Sequence, residues 1–468
     1  MSLQVPSPRY VLGLDLGTSS VKAVLLEAES RAVVDSQVQE TRAEISSPEG
    51  EQSREQDVAQ IVSALHRCVA ALPSERLRRV GRIGVSGQMH GVMLWRSERG
   101  CIWQRTEAGF MFQPGETSHL VTWQDGRCSH EFLTSLTQPD SHLGLASGFG
   151  CATIFWYMKN RPQFLKPYNA AGTIHDYVVA VLCELKRPLM STQNAASWGY
   201  FNTRCGTWNL QILRDSGFPT CLLPAVVESG AIAGTTAHEW YGVPEGTEVG
   251  AALGDFQCSV YSCMMEKTDA VLNISTSAQL TFALTPAFQP PARPDPTASV
   301  AFYPYLDGIY LAVAASLNGG NVLSSFVGML KQWVQELGLE VPESTIYSQS
   351  IHTAQNVACT DLAVQATIFG ERHSPNQLAS VTGISPSNLS LGHVTRALCR
   401  GIAENLHSML SCQRMVECGV RRIKGSGSAL TRNEVLKQEV EKVFTLPVVY
   451  GATIDSAVGV AMVMLDRK

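Results

Sequence analysis

The sequence predicts an α/β protein of two related lobes that face each other across a cleft, and three observations predict it. Three strand-like runs, a helix and a further strand open the chain in that order, which describes a lobe built on a mixed sheet. A strand, a hydroxyl-rich turn and a strand begin again at residue 269. The two hairpins also share their turn chemistry. Residues 14–19 read LDLGTS and residues 272–277 read LNISTS, so that Leu14 meets Leu272, Asp15 meets Asn273, Thr18 meets Thr276 and Ser19 meets Ser277. Chance likeness between two strand–turn–strand units is the competing reading.

The first three runs, YVLGLDLG, SVKAVLLEA and AVVDSQVQE, are separated by so few residues that antiparallel hairpins are required. Ser53 and Gln56 then form a capping-box pattern, ahead of Val58, Ile61, Val62, Leu65, Val69 and Leu72 at helical spacing. RIGVSGQ reads as the next strand. In the second half, DAVLNISTSAQLTFAL (269–284) gives a hairpin and GIYLAVAASL (308–317) another strand. A helix is expected from about Asn321 to Leu337. The stretch HVTRALCRGIAENLHSML carries one apolar stripe, Val394, Leu398, Ile402, Leu406 and Met409 with Leu410. RRIKGSGSAL runs from strand into turn, and Thr431 with Glu434 is the expected cap of the following helix. Segments 286–296 and 374–388 read as loops. The Gly/Pro-containing stretch 241–250 is the expected link, dividing the chain into lobes 1–247 and 248–468.

Bulk composition narrows the function. The chain has 468 residues, 45% hydrophobic and 16% charged, with net charge −5, which suits large cores. No Lys/Arg run tracks a nucleic-acid backbone, so no nucleic-acid partner is expected. MSLQVPSPRYVLGLD lacks a charged n-region, and apolar runs such as YVVAVLC (177–183) are too short to span a bilayer, so no signal peptide and no membrane partner are expected. The thirteen cysteines include no CxxC pair and read as reduced thiols of a cytoplasmic protein. Cys128 with His130 is the nearest approach to a zinc set and lacks further ligands.

The turns carry the chemistry. Small residues with hydroxyls and free N–H groups can cradle phosphate, and a carboxylate at the strand end can hold a hydrated Mg²⁺. Asp15 would take the metal, Thr18, Ser19 and Ser20 would face phosphate, and Lys22 would add charge. An ordinary hairpin turn with a solvated Asp is the alternative for DLGTSS alone. Asp255 follows the apolar VGAALG and opens a helical run, FQCSVYSCMM. It fits a structural helix cap, and it fits a base that accepts a proton from an attacking hydroxyl. His175, Asp176 and Tyr177 read as core or cap residues.

These motifs together resemble the FGGY carbohydrate kinases. GLDLGTSSVKAVLL is similar to the first phosphate motif of that family, and IGVSGQMHGV (83–92) and TWQDGR (122–127) to its sugar-side segments. STQNAASWGYFN (191–202) resembles its T-D-x-S-x-A-S stretch, with Thr192 where the family has Asp. GAALGDFQCSVYS (250–262) resembles the motif of the catalytic base, and VLNISTSAQL the second phosphate motif. SLNGGN and KGSGSALTRN resemble the adenosine-side turns, and GERHSP the loop before a long helix.

The resemblance covers nearly the whole chain. It implies an actin/hexokinase/Hsp70-like ATPase fold with duplicated ribonuclease H-like domains and a central cleft. It implies a kinase using ATP and Mg²⁺, with Asp255 as general base, kept ionised by the helix start. Sugar contacts would come from Gln88, Met89, His90, Trp123, Asp125 and Arg127. Nucleotide contacts would come from Thr18, Ser19, Ser20, Lys22, Thr276, Ser277, Gly319, Gly320, Gly425, Gly427 and Ser428. Met89-His90 in place of the Arg-Glu of glycerol kinases fits a ketose acceptor. Sedoheptulose is favoured, and its 7-phosphate would feed the pentose phosphate pathway; xylulose, ribulose and glycerol are the alternatives. A nucleotide-driven conformational ATPase and a silent sugar-binding regulator are the readings from other classes. A monomer or homodimer is expected. Ser275 departs from the family's Gly-Thr turn, and serine does not take positive φ cheaply.

Overall fold

A computed structural model describes residues 9–47, 49–106, 109–264, 266–451 and 454–467. Residues 1–8, which bear on the signal-peptide reading, lie outside the described residues, as does Met265 at the expected end of the helix that Asp255 opens; that helix ends at Cys263.

Two six-stranded paths carry the fold. In the first sheet, Tyr10–Leu16, Ser20–Glu27 and Val33–Glu40 form an antiparallel meander, and Val80–Gly87 lies parallel on the other side of Tyr10–Leu16. In the second, Asp269–Ile274, Ala278–Ala283 and Tyr310–Ser316 form the meander, and Arg422–Ser426 lies parallel to Asp269–Ile274. The duplication read from the turns is therefore a duplication of topology. Register places Asp15 between Lys22 and Ser86, and Asn273 between Gln279 and Ser426.

The cores follow from the apolar spacing. Val58, Ile61, Val62, Leu65, Val69 and Leu72 are all buried under the first sheet, each contributing ~1.5–3 kcal/mol. Leu398, Ile402, Leu406, Met409 and Leu410 are buried in the second core. A further apolar cluster joins the halves. Helices Asp255–Cys263 and Ser456–Asp466 pack on each other, the latter also on Tyr10–Leu16 and Val80–Gly87, and Val11, Val24, Leu26, Val271, Leu311 and Val313 share their cluster. The last helix of the chain thus returns to the first sheet.

Four sequence expectations are corrected. The helix Val58–Ala70 is capped by Asp57, whose side chain accepts from Ala59 N, whereas Gln56 belongs to the short strand Glu55–Gln56. The helix Glu434–Val443 is capped by Asn433, which accepts from the N–H groups of Val435 and Leu436; Thr431 ends the preceding turn by donating to Gly427 O. The stretch 241–250 leads from Ile232–Thr235 to Glu248–Gly250 inside the first sheet, and Leu253–Gly254 extends that sheet too. Segment 374–388 contains the strand Ser380–Thr382, paired with Ala363–Gln365.

Between Val92 and Val226 the chain builds a separate apolar cluster around Trp198, Tyr200, Phe201 and Phe155. It reaches the second half through His142 Nε2 and Gln193 Nε2, which meet the carbonyls of Phe302 (2.8 Å) and Tyr305 (3.1 Å). No disulfide joins the cysteines among the described residues. Among the described residues no helix is long and apolar enough to cross a membrane.

Candidate active site

Two carboxylates meet where the strands of the first sheet end. Asp15 is the penultimate residue of Tyr10–Leu16, and Ser86 Oγ on the parallel neighbour donates to its Oδ1 at 2.9 Å. Burial raises the Asp15 carboxyl above its ordinary range, opposed by hydrogen bonds from Ser456 and Ser86. Asp255 lies within the field of Asp15. Burial first, and the charge of Asp15 second, push its carboxyl up to about 7, opposed by the backbone N–H of Phe256, which donates to Oδ1 at 2.7 Å.

This overturns the expectation that the helix start keeps Asp255 ionised. Gly254 occupies the cap position and Asp255 is the first helical residue, so the backbone N–H groups of Phe256 and of Asp255 itself serve it, while desolvation and a like charge outweigh them. A cavity of about 260 Å³ is lined by Asp255, Ser456, Asn273 and Gln279. Asp255, in the field of Asp15 from the first hairpin, thus faces a cavity that the second hairpin lines.

The first turn is closed by Gly17 N donating to Ser20 O at 3.0 Å, which leaves Ser19 exposed at its tip. Thr18 is held from several sides. Its carbonyl accepts from Gln56 Nε2 (2.7 Å), and its hydroxyl accepts from Trp123 Nε1 (3.0 Å) and approaches Gln88 Oε1 (3.4 Å). Lys22 points to the carboxylate of Asp455, the cap of the last helix.

The second turn is closed by Ser275 N donating to Ser277 O at 2.9 Å, with Thr276 and Ser277 exposed. Ser275 is absent from the residues with positive φ, so the turn does not need the glycine of the family pattern. Gly320 N and Asn321 N donate to the carbonyls of Ser275 (2.7 Å) and Thr276 (3.0 Å). A Cβ on Gly319 would come within 2.5 Å of the Ser277 backbone, and one on Gly427 (φ +95°) within 2.3 Å of Ile274 O. Gly425 lies against the Tyr450 ring and Ser428 opens the short helix Ser428–Thr431. These glycines let three backbones close on the second turn.

On the sugar side, Gln88 is buried and its Nε2 donates to Gln56 Oε1 at 2.9 Å. The Met89 sulfur lies against Gly254, next to Asp255. His90 takes φ +71°, stacks on Phe149 with centroids 4.6 Å apart, and its Nδ1 meets Ser197 O at 2.8 Å; burial holds the imidazole below its ordinary range. Trp123 is half-exposed beside Thr18.

Asp125 and Arg127 were expected on this surface, and the structure places them beneath it. Arg127 Nε donates to Asp125 Oδ1 (2.8 Å), Nη1 to Tyr157 Oη (2.7 Å) and Nη2 to Glu55 Oε1 (2.6 Å). Asp125 also accepts from the N–H groups of Arg54 and Arg127. Every nitrogen of the guanidinium is bound within the protein, so this pair fastens Glu55–Gln56 beneath Trp123.

His175, Asp176 and Tyr177 are core and cap residues, as read. Thr173 and Asp176 form a capping box, Tyr177 Oη donates to Gly100 O, and burial raises Asp176 to about 7 and lowers His175 to about 4. Thr192 Oγ1 bonds Ser229 Oγ at 2.7 Å. Among the described residues no three His, Cys, Asp or Glu side chains gather as a metal set, and Cys128 is buried with its Sγ on Ala152 O.

Sequence reasoning missed Gln56, which joins Thr18 to Gln88. The S-R-E-Q pattern fits a capping box and absorbs it. Ser456 was missed too, because nothing local marks a serine 441 positions from Asp15 as its partner.

Known proteins share this fold and sequence. The FGGY family of carbohydrate kinases, N-terminal domain, matches over residues 10–262. A sedoheptulokinase of Homo sapiens is 61% identical over 466 residues, covering 97% of this chain and 97% of the other. A sedoheptulokinase of Mus musculus is 60% identical over 462 residues, again covering 97% of both. Among solved structures, a xylulose kinase from Rhodospirillum rubrum superposes with TM-score 0.80 at 20% identity, covering 97% of this chain and 89% of that one.

Proposed function

This chain belongs to the FGGY family of carbohydrate kinases, and from that premise we propose that it phosphorylates sedoheptulose on its terminal primary hydroxyl, using ATP, to give sedoheptulose 7-phosphate. The observation that carries the reading is Asp255, a carboxyl raised to about 7 beside Asp15 of the first hairpin and lining a cavity with Asn273 and Gln279 of the second. A base poised near neutral pH can take the proton of a primary hydroxyl as that oxygen attacks the γ-phosphorus.

The remaining groups position the reactants. Met89 and His90 wall the acceptor on the first half, and Trp123 covers it from the side of Thr18. Ser19, Thr276 and Ser277 present exposed hydroxyls and turn backbone toward phosphate. We assign the sugar to lobe 1–247 and the nucleotide to lobe 248–468, with Glu248–Gly250 and Leu253–Gly254 completing the first sheet. Gly319, Gly320, Gly425, Gly427 and Ser428 lie on the nucleotide side. Cysteines without disulfides suit a reducing compartment, and the cytoplasm is the proposed location.

The donor set fits Mg²⁺. Asp15 is a buried hard oxygen donor at the strand end, and a hydrated divalent cation would offset the cost of burying its charge. Bound there, Mg²⁺ would supply charge neutralisation for the transferred phosphoryl group. Asp15→Ala is expected to flatten the Mg²⁺ dependence of turnover; a titration indistinguishable from wild type would remove Asp15 from the metal.

ADP release measured with seven-, five- and three-carbon acceptors tests the substrate. Sedoheptulose is expected to have the highest kcat/KM, by about tenfold or more. Preference for xylulose, ribulose or glycerol would overturn the acceptor assignment.

A further inference from the structure

A buried carboxylate with no cation beside it lies behind the second turn. Glu371 is 1% exposed, and no salt bridge involves it among the described residues. Its Oε1 accepts from Ser316 Oγ (2.5 Å), Asn318 Nδ2 (2.9 Å) and Asn405 Nδ2 (2.8 Å), and its Oε2 from Leu317 N (3.1 Å). The neighbouring Arg372 turns away to Ala315 O. Burying a carboxylate is costly, and four neutral donors converge on this one.

What those donors share is position. Ser316, Leu317 and Asn318 form the three residues before Gly319, and Asn405 comes from the long helix Leu391–Met409. Asn318 Nδ2 also donates to Gly370 O, and Asn318 Oδ1 accepts from Phe369 N. Beyond Asn318 the contacts continue without a break. Asn321 Nδ2 donates to Leu317 O, Asn321 Oδ1 accepts from Gly319 N, and the N–H groups of Gly320 and Asn321 hold the carbonyls of Ser275 and Thr276. One carboxylate thus fixes a loop, and the loop fixes the turn that presents Thr276 and Ser277.

We propose that Glu371 is a positioning residue for ATP: it locks residues 316–318 so that Gly319–Asn321 hold the 275–277 turn in its phosphate-receiving shape. This rests on the reading that the second turn takes the phosphates. Glu371→Gln keeps the size of the side chain, yet points an NH₂ at the Leu317 N–H or at the three donors on the other side. Donor then faces donor, and the loop must shift.

The test is steady-state kinetics on the full chain, with thermal unfolding as the control of fold. Glu371→Gln is expected to raise KM for ATP roughly tenfold while KM for sedoheptulose stays within about twofold. Asn405→Ala removes one donor to Glu371, a donor that also bonds Ser316 Oγ at 3.0 Å, and is expected to raise KM for ATP by about threefold; it decides the matter if Glu371→Gln does not fold. Thr276→Ala tests the phosphate reading in parallel. If KM for ATP moves in Thr276→Ala but not in the Glu371 or Asn405 variants, the positioning role is overturned and the phosphate turn stands. If it moves in none of them, both fall. Equal rises in the KM of ATP and of sugar in Glu371→Gln would mean general loosening and overturn the role.

Discussion

Asp255→Asn lowers kcat by roughly 10²–10⁴-fold and leaves ATP binding within about twofold. The amide keeps the size of the carboxyl and can still accept from Phe256 N–H, so the helix start survives. What disappears is the capacity to take a proton. On the proposed reading, ATP affinity is set elsewhere, by the two turns. The pH profile gives the same assignment a second readout. In the wild type the active form is the ionised carboxylate, and burial and Asp15 raise its pKa to about 7. Activity is therefore present above that value and lost as pH falls below it, with kcat/KM dropping about tenfold per pH unit on the acid side. Asp255→Asn has no such limb. Turnover near wild type in this variant, or a wild-type profile flat between about pH 5 and 8, would remove Asp255 as the base.

Arg127→Ala destabilises the fold by ~3–5 kcal/mol, read from the urea midpoint at unchanged m. The cost is the penalty of two carboxylates, Asp125 and Glu55, left buried without their cation. The Tyr157 hydroxyl and the ring faces of Trp156 and Tyr157, with the guanidinium carbon 5.3 and 5.2 Å from their centroids, lose their partner as well. A destabilisation under ~1 kcal/mol accompanied by a large rise in sugar KM would return Arg127 to the acceptor surface as a ligand.

Much of the architecture was legible. Strand runs separated by two to five residues leave only hairpins, and the apolar spacing of 58–72 leaves only a helix with one buried face. The second hairpin was legible because turn chemistry, unlike a core, tolerates few residue types. Capping was less so. Ser53 with Gln56, and Thr431 with Glu434, match a cap by spacing, but Asp57 and Asn433 sit where the chain turns into the helix and won the N–H groups. The link expected at 241–250 failed for a related reason: glycine and proline mark a turn but not which sheet the next strand joins.

The site divides the same way. Local residue chemistry alone determined the mixed sheets, the paired hydroxyl turns, and Asp15 and Asp255 as the acids worth watching. Tertiary structure alone decided that Asp255 lies in the field of Asp15 and titrates near neutrality, that Arg127 is sealed under the acceptor surface, and that Gln56 and Glu371 brace the two turns. The reason is range: backbone preference and apolar period act over a few residues and are written in order along the chain. Desolvation, like-charge repulsion and the sharing of hydrogen bonds depend on which groups end as neighbours, and here those neighbours lie up to several hundred positions apart.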